Sequence, residues 1–246
     1  MKTTFFLIAL IPCALFLRST PVFADEDTCT SCHETISMKK NVHAAVEMGC
    51  SICHLSPHEK EEPELSLMSD VPDLCFICHE NSLTGKRFQH EPAAAGNCTS
   101  CHDPHASEHE KLLAADPREL CYRCHDKKAF SKKYVHSPVA AGQCLACHKP
   151  HASDTDFNLN EPLESLCVKC HEKTSSGTHV LTRYRFGETH PVSDKPDPSR
   201  RGSELSCVSC HNPHSSAMMF LFTNEKRSPD NLCLMCHKKT MVSPLR

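Results

Sequence analysis

CTSCHDPHASEHEKLLAADPRELCYRCH, residues 98 to 125, holds the pattern Cys-x-x-Cys-His twice, at Cys98, Cys101, His102 and again at Cys121, Cys124, His125. Working outward, the same arrangement returns 46 residues later: His90, Pro92, Gly96, Cys98, Cys101, His102, Pro104 and His105 are matched by His136, Pro138, Gly142, Cys144, Cys147, His148, Pro150 and His151. Cys75 to Cys121 and Cys121 to Cys167 are also steps of 46 residues. A fixed period of this size marks an array of structural units, and each unit here contains two motifs.

Across the chain the motif occurs nine times. Besides the two quoted, it stands at Cys29, Cys32, His33; Cys50, Cys53, His54; Cys75, Cys78, His79; Cys144, Cys147, His148; Cys167, Cys170, His171; Cys207, Cys210, His211; and Cys233, Cys236, His237. Two thiols three residues apart lie about one helical turn from each other. They can therefore form thioethers to the two vinyl groups of one porphyrin, and the adjoining histidine reaches the iron as its proximal ligand. A disulfide framework gives no reason for a histidine after every second cysteine. Zinc needs four ligands per ion and favours paired CxxC units or CxxC with a spaced histidine pair. Nine motifs using 18 of the 19 cysteines point to about nine covalent c-type haems.

The remaining cysteine, Cys13, lies in a stretch that reads as an export signal over residues 1 to 24. Lys2 supplies the positive start, Phe5 to Leu17 the apolar run, and Val22, Phe23, Ala24 a small-residue cleavage site before Asp25. The apolar run is shorter than the ~20 residues that span a bilayer. Export suits the cofactor, because thioether formation needs haem delivered to reduced thiols outside the cytoplasm. The expected location is the periplasm, with outer-membrane association or an extracellular site as alternatives.

Composition fits an interior made largely of cofactor. The chain has no Trp and 17 Pro, and the mature 25 to 246 segment offers about 25 residues per haem. Side chains alone are too few and too small to build an adequate core at that density. Charge points the same way. With 27 Lys and Arg against 30 Asp and Glu the chain is mildly acidic, and ionised propionates outweigh ferric centres, so the mature holoprotein reaches roughly −14. Nucleic acid is excluded as a partner on that ground. A basic patch on another redox protein would be attracted.

Four two-haem units fit the mature chain, at 43 to 79, 90 to 125, 136 to 171 and 190 to 237, preceded by a half unit at 25 to 42. In each second half a proline, Pro72, Pro117, Pro162 or Pro229, shortly precedes Leu-Cys-x-x-Cys-His. This predicts a short helix with proline in its first turn, packing Leu74, Leu120, Leu166 and Leu232 against the haem. In the first halves, Pro104 and Pro150 follow the haem histidine and stop any helix. Four motif-to-motif steps of 23 residues give way to one of 40 between Cys167 and Cys207, so residues 172 to 206 carry an insertion that reads either as a loop or as a ligand-donating arm.

Ten histidines lie outside the motifs. Eight recur at fixed places and are candidate distal ligands: His43, His90, His136 and His190 precede the first motif of each unit, and His58, His105, His151 and His214 follow it. The ninth vacancy, at the haem of Cys29, falls to His179 rather than His109, which sits among Ser107, Glu108, Glu110 and Lys111. Met38, Met218 and Met235 are the alternative donors. A distal histidine so close in sequence to a proximal one cannot reach the opposite face of the same porphyrin, so it should serve a neighbouring haem. Ligation by two histidines predicts low potentials and leaves substrate no open iron site.

The string Cys98 to His125, with His102, Pro104, His105, Ser107, Leu112, Leu113 and Leu120, resembles the doubled CxxCH family of multihaem c-type cytochromes, and the resemblance covers nearly all of the mature chain. It implies a mostly irregular fold with short α-helices, almost no sheet and an elongated haem chain. It also implies an electron carrier rather than an enzyme, relaying electrons between an inner-membrane quinol-linked donor and an outer-membrane or extracellular acceptor in an anaerobic or metal-respiring bacterium. An outer-membrane porin is an alternative partner, and a porin-bound conduit, a filament or a reductase subunit are alternative settings. The first unit departs from the pattern, since His58 follows Leu55, Ser56 and Pro57 rather than one residue and a proline.

Overall fold

The computed structural model describes residues 29–56, 66–172, 192–223 and 232–237. The export signal, His58, His179, His190 and Pro229 lie outside these residues.

The motifs, with one exception, close on themselves. In eight of the nine, the amide of the motif histidine donates to the carbonyl of the first cysteine at 2.8 to 3.1 Å, which brings both thiols and the imidazole to one side of a single turn. Around these turns the chain forms only short elements: β1 (Asn41–Val42), α1 (Ala44–Met48), β2 (His54–Ser56), β3 (Ser66–Leu67), α2 (Asp73–Phe76), β4 (Phe88–Gln89) and α3 (Glu91–Ala94). They are followed by β5 (Ala106–Ser107), α4 (Pro117–Tyr122), β6 (Tyr134–Val135), α5 (Ser137–Ala140), β7 (Ala152–Ser153), α6 (Leu163–Val168), α7 (Cys207–Cys210) and β8 (Ser215–Ser216).

The helices of the second motifs start where the prolines predict, within a residue. Pro117 is the first residue of α4, and Asp116 caps that helix by accepting from the Arg118 amide at 3.0 Å. Pro72 and Pro162 stand one position earlier, at the N-caps of α2 and α6. The cysteine pairs and histidines follow in the last turn and the exit of each helix. Helices of four to six residues cannot persist on propensity alone.

Pairing of the strands ties successive units together. β1 runs antiparallel to β5 with Asn41 opposite Ser107 and Val42 opposite Ala106; β4 pairs with β7, and β6 with β8, in the same register. Each junction thus joins the strand entering one unit to the strand in the middle of the next. The ladder continues into the following histidines, whose amides donate across it: His43 to the His105 carbonyl at 2.8 Å, His90 to that of His151 at 2.8 Å, and His136 to that of His214 at 3.0 Å. Lys39 to Asp103 and Lys86 to Asp154, both 2.8 Å, cross the first two junctions at the surface, where such pairs add little.

Burial concentrates at these junctions. Among the described residues the buried hydrophobic set is Ala106, Ala152 and Leu159, and Ser107, Ser153, Ser215 and Ser216 are at most 3 % exposed. Small side chains sit where the two backbones meet, and the described residues form no large apolar core. Close approach also explains Gly96, held at a φ of +74° with Pro72 of the preceding unit so near that a Cβ would meet its ring carbon at 2.7 Å.

The first motif of each later unit ends in a hairpin loop whose tip is left-handed. Lys111 and Leu112, Phe157 and Asn158, and Phe220 and Leu221 all have φ between +51° and +59°. Such a conformation costs roughly 1–2 kcal/mol per residue for an ordinary L-amino acid. It is held by side-chain hydroxyls: Ser107 Oγ donates to the Leu113 carbonyl, Thr155 Oγ1 to that of Leu159, and Ser216 Oγ to that of Phe222. Among the described residues no helix is long and apolar enough to cross a membrane.

Candidate haem-binding site

No disulfide links any of the eighteen motif cysteines. What the structure brings together are histidines. Among the described residues, six motif histidines each face one histidine from outside the motifs, with ring centroids 5.8 to 6.2 Å apart. The pairs are His79 with His43, His54 with His105, His125 with His90, His102 with His151, His171 with His136, and His148 with His214. The ring planes lie within 14° to 25° of parallel in five pairs and at 38° in the His102 pair.

That separation is the one an iron would impose. Two imidazoles bonded to one metal from opposite sides, at roughly 2 Å each and with each centroid roughly 1.1 Å beyond its nitrogen, stand roughly 6 Å apart. The residues present therefore fit a haem between each pair.

Two rules describe the six pairs. A histidine that precedes the first motif of a unit faces the second motif histidine of the same unit. A histidine that follows the first motif faces the first motif histidine of the unit before. The second rule has the same one-unit offset as the strand pairing, because β5, β7 and β8 each start directly after the histidine they deliver. His58, His179 and His190 are outside the described residues; His109 occupies the place held by Thr155 and Met218 in the next two units, at the start of the hairpin tip.

Hydrogen bonds fix the tautomers. His43, His90 and His136 donate from Nδ1 to the carbonyls of Pro104, Pro150 and Pro213 at 2.8 to 2.9 Å, across the unit junction. His102, His148 and His211 donate from Nδ1 to the carbonyls of Lys111, Phe157 and Phe220 at 2.7 to 3.0 Å. With Nδ1 carrying the proton, Nε2 is left as the metal-facing nitrogen, and the carbonyl raises its basicity. The left-handed hairpin tips thereby acquire a purpose, since they aim those carbonyls at the histidine rings. The sequence offered one hint of this, the asparagine at 158, a residue type enriched at positive φ.

Burial lowers the His151 and His214 pKa values, and the facing histidines His102 and His148 lower them further. His54 is lowered by burial and by His105. All three are thus favoured as neutral rings, the form that binds a metal.

The thiols show how consecutive attachment sites lie. Cys75 is pushed up by burial and by the thiols of Cys98 and Cys53. Cys121 is pushed up to about 11 by burial and by Cys144 and Cys101. Cys167 is raised by its hydrogen bond with Cys207, by burial and by Cys147, while the same bond draws Cys207 down to about 7. Cys210 is raised by burial and then by Cys236 and Cys233, and Cys147 by burial and Cys170. Every motif from Cys50 to Cys236 therefore has a thiol close to a thiol of the next motif in sequence.

The model of the family described as the doubled CXXCH motif matches the chain four times, over residues 43–83, 90–130, 136–176 and 198–242, which together make up more than half of its length. No curated protein matches the chain.

Proposed function

The chain belongs to the doubled CXXCH family of multihaem c-type cytochromes, and from that premise we propose that it is an exported electron carrier with nine covalent haems. The observation that carries this reading is the set of six facing histidine pairs, each pairing a motif histidine with one from outside the motifs at centroid separations of 5.8 to 6.2 Å. Each haem would supply one iron that cycles between ferric and ferrous states. The protein's part is to fix these groups in sequence order and to close both axial positions. Cross-unit ligands do both: His105, His151 and His214 each belong to the unit after the one whose motif histidine they face.

Carried along the sequence, the two pairing rules assign His58 to the haem of His33 and His190 to that of His237. This assignment replaces the sequence-based preference for His179 at the haem of Cys29 and releases His179 for His211. On this reading His58→Ala turns the haem at Cys29 from low-spin to high-spin and His179→Ala leaves that haem unchanged, as followed by magnetic circular dichroism. The opposite pattern would restore the earlier assignment.

An acidic holoprotein is suited to partners with basic docking faces, such as an inner-membrane donor and an outer-membrane or extracellular acceptor. The stoichiometry is tested by intact mass, which should equal the chain from Asp25 plus nine haems, together with an oxidised spectrum lacking a strong high-spin band. A mass short by several haems would defeat the nine-haem carrier.

A further inference from the structure

Of the six histidine pairs, five have a backbone carbonyl accepting from at least one ring's Nδ1: Pro104 for His43, Pro150 for His90, Pro213 for His136, Lys111 for His102 and Phe157 for His148. The pair of His54 and His105 is different. Nδ1 of His54 is buried with no hydrogen-bond acceptor among the described residues. For His105, Asp103 Oδ1 is 3.9 Å from Nδ1, too far for a hydrogen bond.

A difference in loop length accompanies this. In the later units the carbonyl at the tip of a tight left-handed hairpin meets the motif histidine, and an eleven-residue loop brings it there, since the Ala114 amide closes on the Cys101 carbonyl. In the first unit the equivalent closure is Met68 to Cys53 at 2.9 Å, two residues further out, and His54 enters β2 against Leu67.

A carbonyl on Nδ1 pushes electron density toward Nε2 and so favours the ferric state, while a ring without one is the weaker donor. We propose that the haem held at Cys50 and Cys53 between His54 and His105 has the highest potential of the six, making it the place where electrons collect in this row. The proposal rests on the haem-carrier reading above. It concerns the ranking of the sites and adds nothing to their number.

The test uses the mature holoprotein in a spectroelectrochemical titration, after intact mass has shown its full haem complement. Failure of that mass check would strike the carrier reading and leave the ranking aside. In the first variant, residues 55 to 67 are replaced by the eleven-residue loop 103 to 113, which keeps His54 and supplies both a histidine at the His58 place and the missing carbonyl. The highest-potential component should shift downward, with the others in place. In the second, His105→Met, the same component should shift upward, because methionine raises haem potential relative to histidine. Should the graft move only a lower component, or none, the ranking is wrong. The graft retains histidine ligation throughout, so it decides the matter even if His105→Met matures with one haem fewer.

Discussion

In His151→Ala, the haem that loses its sixth ligand is the one attached at Cys98 and Cys101, 50 residues before the substitution, and not the one attached at Cys144 and Cys147 next to it in sequence. His151 faces His102 with centroids 6.0 Å apart, while His148, three residues before it, faces His214. The expected result is one high-spin, cyanide-binding haem among otherwise low-spin ones, with its potential raised. Structural damage should be slight, because the His151 carbonyl and the Pro150 carbonyl that hold His90 are backbone groups and survive the substitution. Attribution comes from a second change: adding Cys98→Ala and Cys101→Ala should abolish the high-spin signal, whereas adding Cys144→Ala and Cys147→Ala should leave it. If the outcome is reversed, the histidine following a motif acts on its own unit, and the cross-unit rule fails.

The attachment chemistry was legible in the sequence because it is covalent and local. Cys-x-x-Cys-His needs only three spacings, and the 46-residue period was visible in the prolines and glycines as well as in the motifs. The Asp116-Pro117 start of the fourth helix was legible for the same reason, since capping involves residues two apart. What spacing could not give was the identity of each facing pair. Nothing in the residues around His105 says whether it meets His54 or His148. That choice is made by the pairing of Asn41–Val42 with Ala106–Ser107, two-residue strands too short to carry any periodicity.

A signal for that pairing did exist, in the Ala-Ser, Ala-Ser and Ser-Ser dipeptides directly after His105, His151 and His214. Small residues at a fixed place in a repeat mark a close approach of two backbones, and here all six are buried. The left-handed tips were harder still. Lys111, Leu112, Phe157, Phe220 and Leu221 are residue types that usually avoid positive φ. Their conformation is imposed by the hydroxyls of Ser107, Thr155 and Ser216 from outside the turn. A local reading of propensity misses a turn whose conformation is set by its surroundings.

The other large effect concerns the chain without its cofactor. Produced in a compartment that attaches no haem, residues 25 to 246 should have a coil-like circular dichroism spectrum, poor amide dispersion and no cooperative thermal transition. Fixing one residue's backbone costs roughly 1–2 kcal/mol, and the described polypeptide sets against this only three buried hydrophobic side chains, two of them alanines. Its helices of four to six residues lie far below the roughly 12–15 at which an isolated helix becomes even marginal. The paired strands are two residues long at each of the three described unit junctions, short of what an independent sheet requires. The histidine pairs cannot close the gap unaided, because neutral rings 6 Å apart hold one another only through a shared metal. The apolar area must then come from porphyrin, and the links between units from iron bonded to His105, His151 and His214. A haem-free chain that melts cooperatively and shows dispersed amide resonances would mean that the serine and alanine junctions suffice, and the account of stability given for this fold would have to be abandoned.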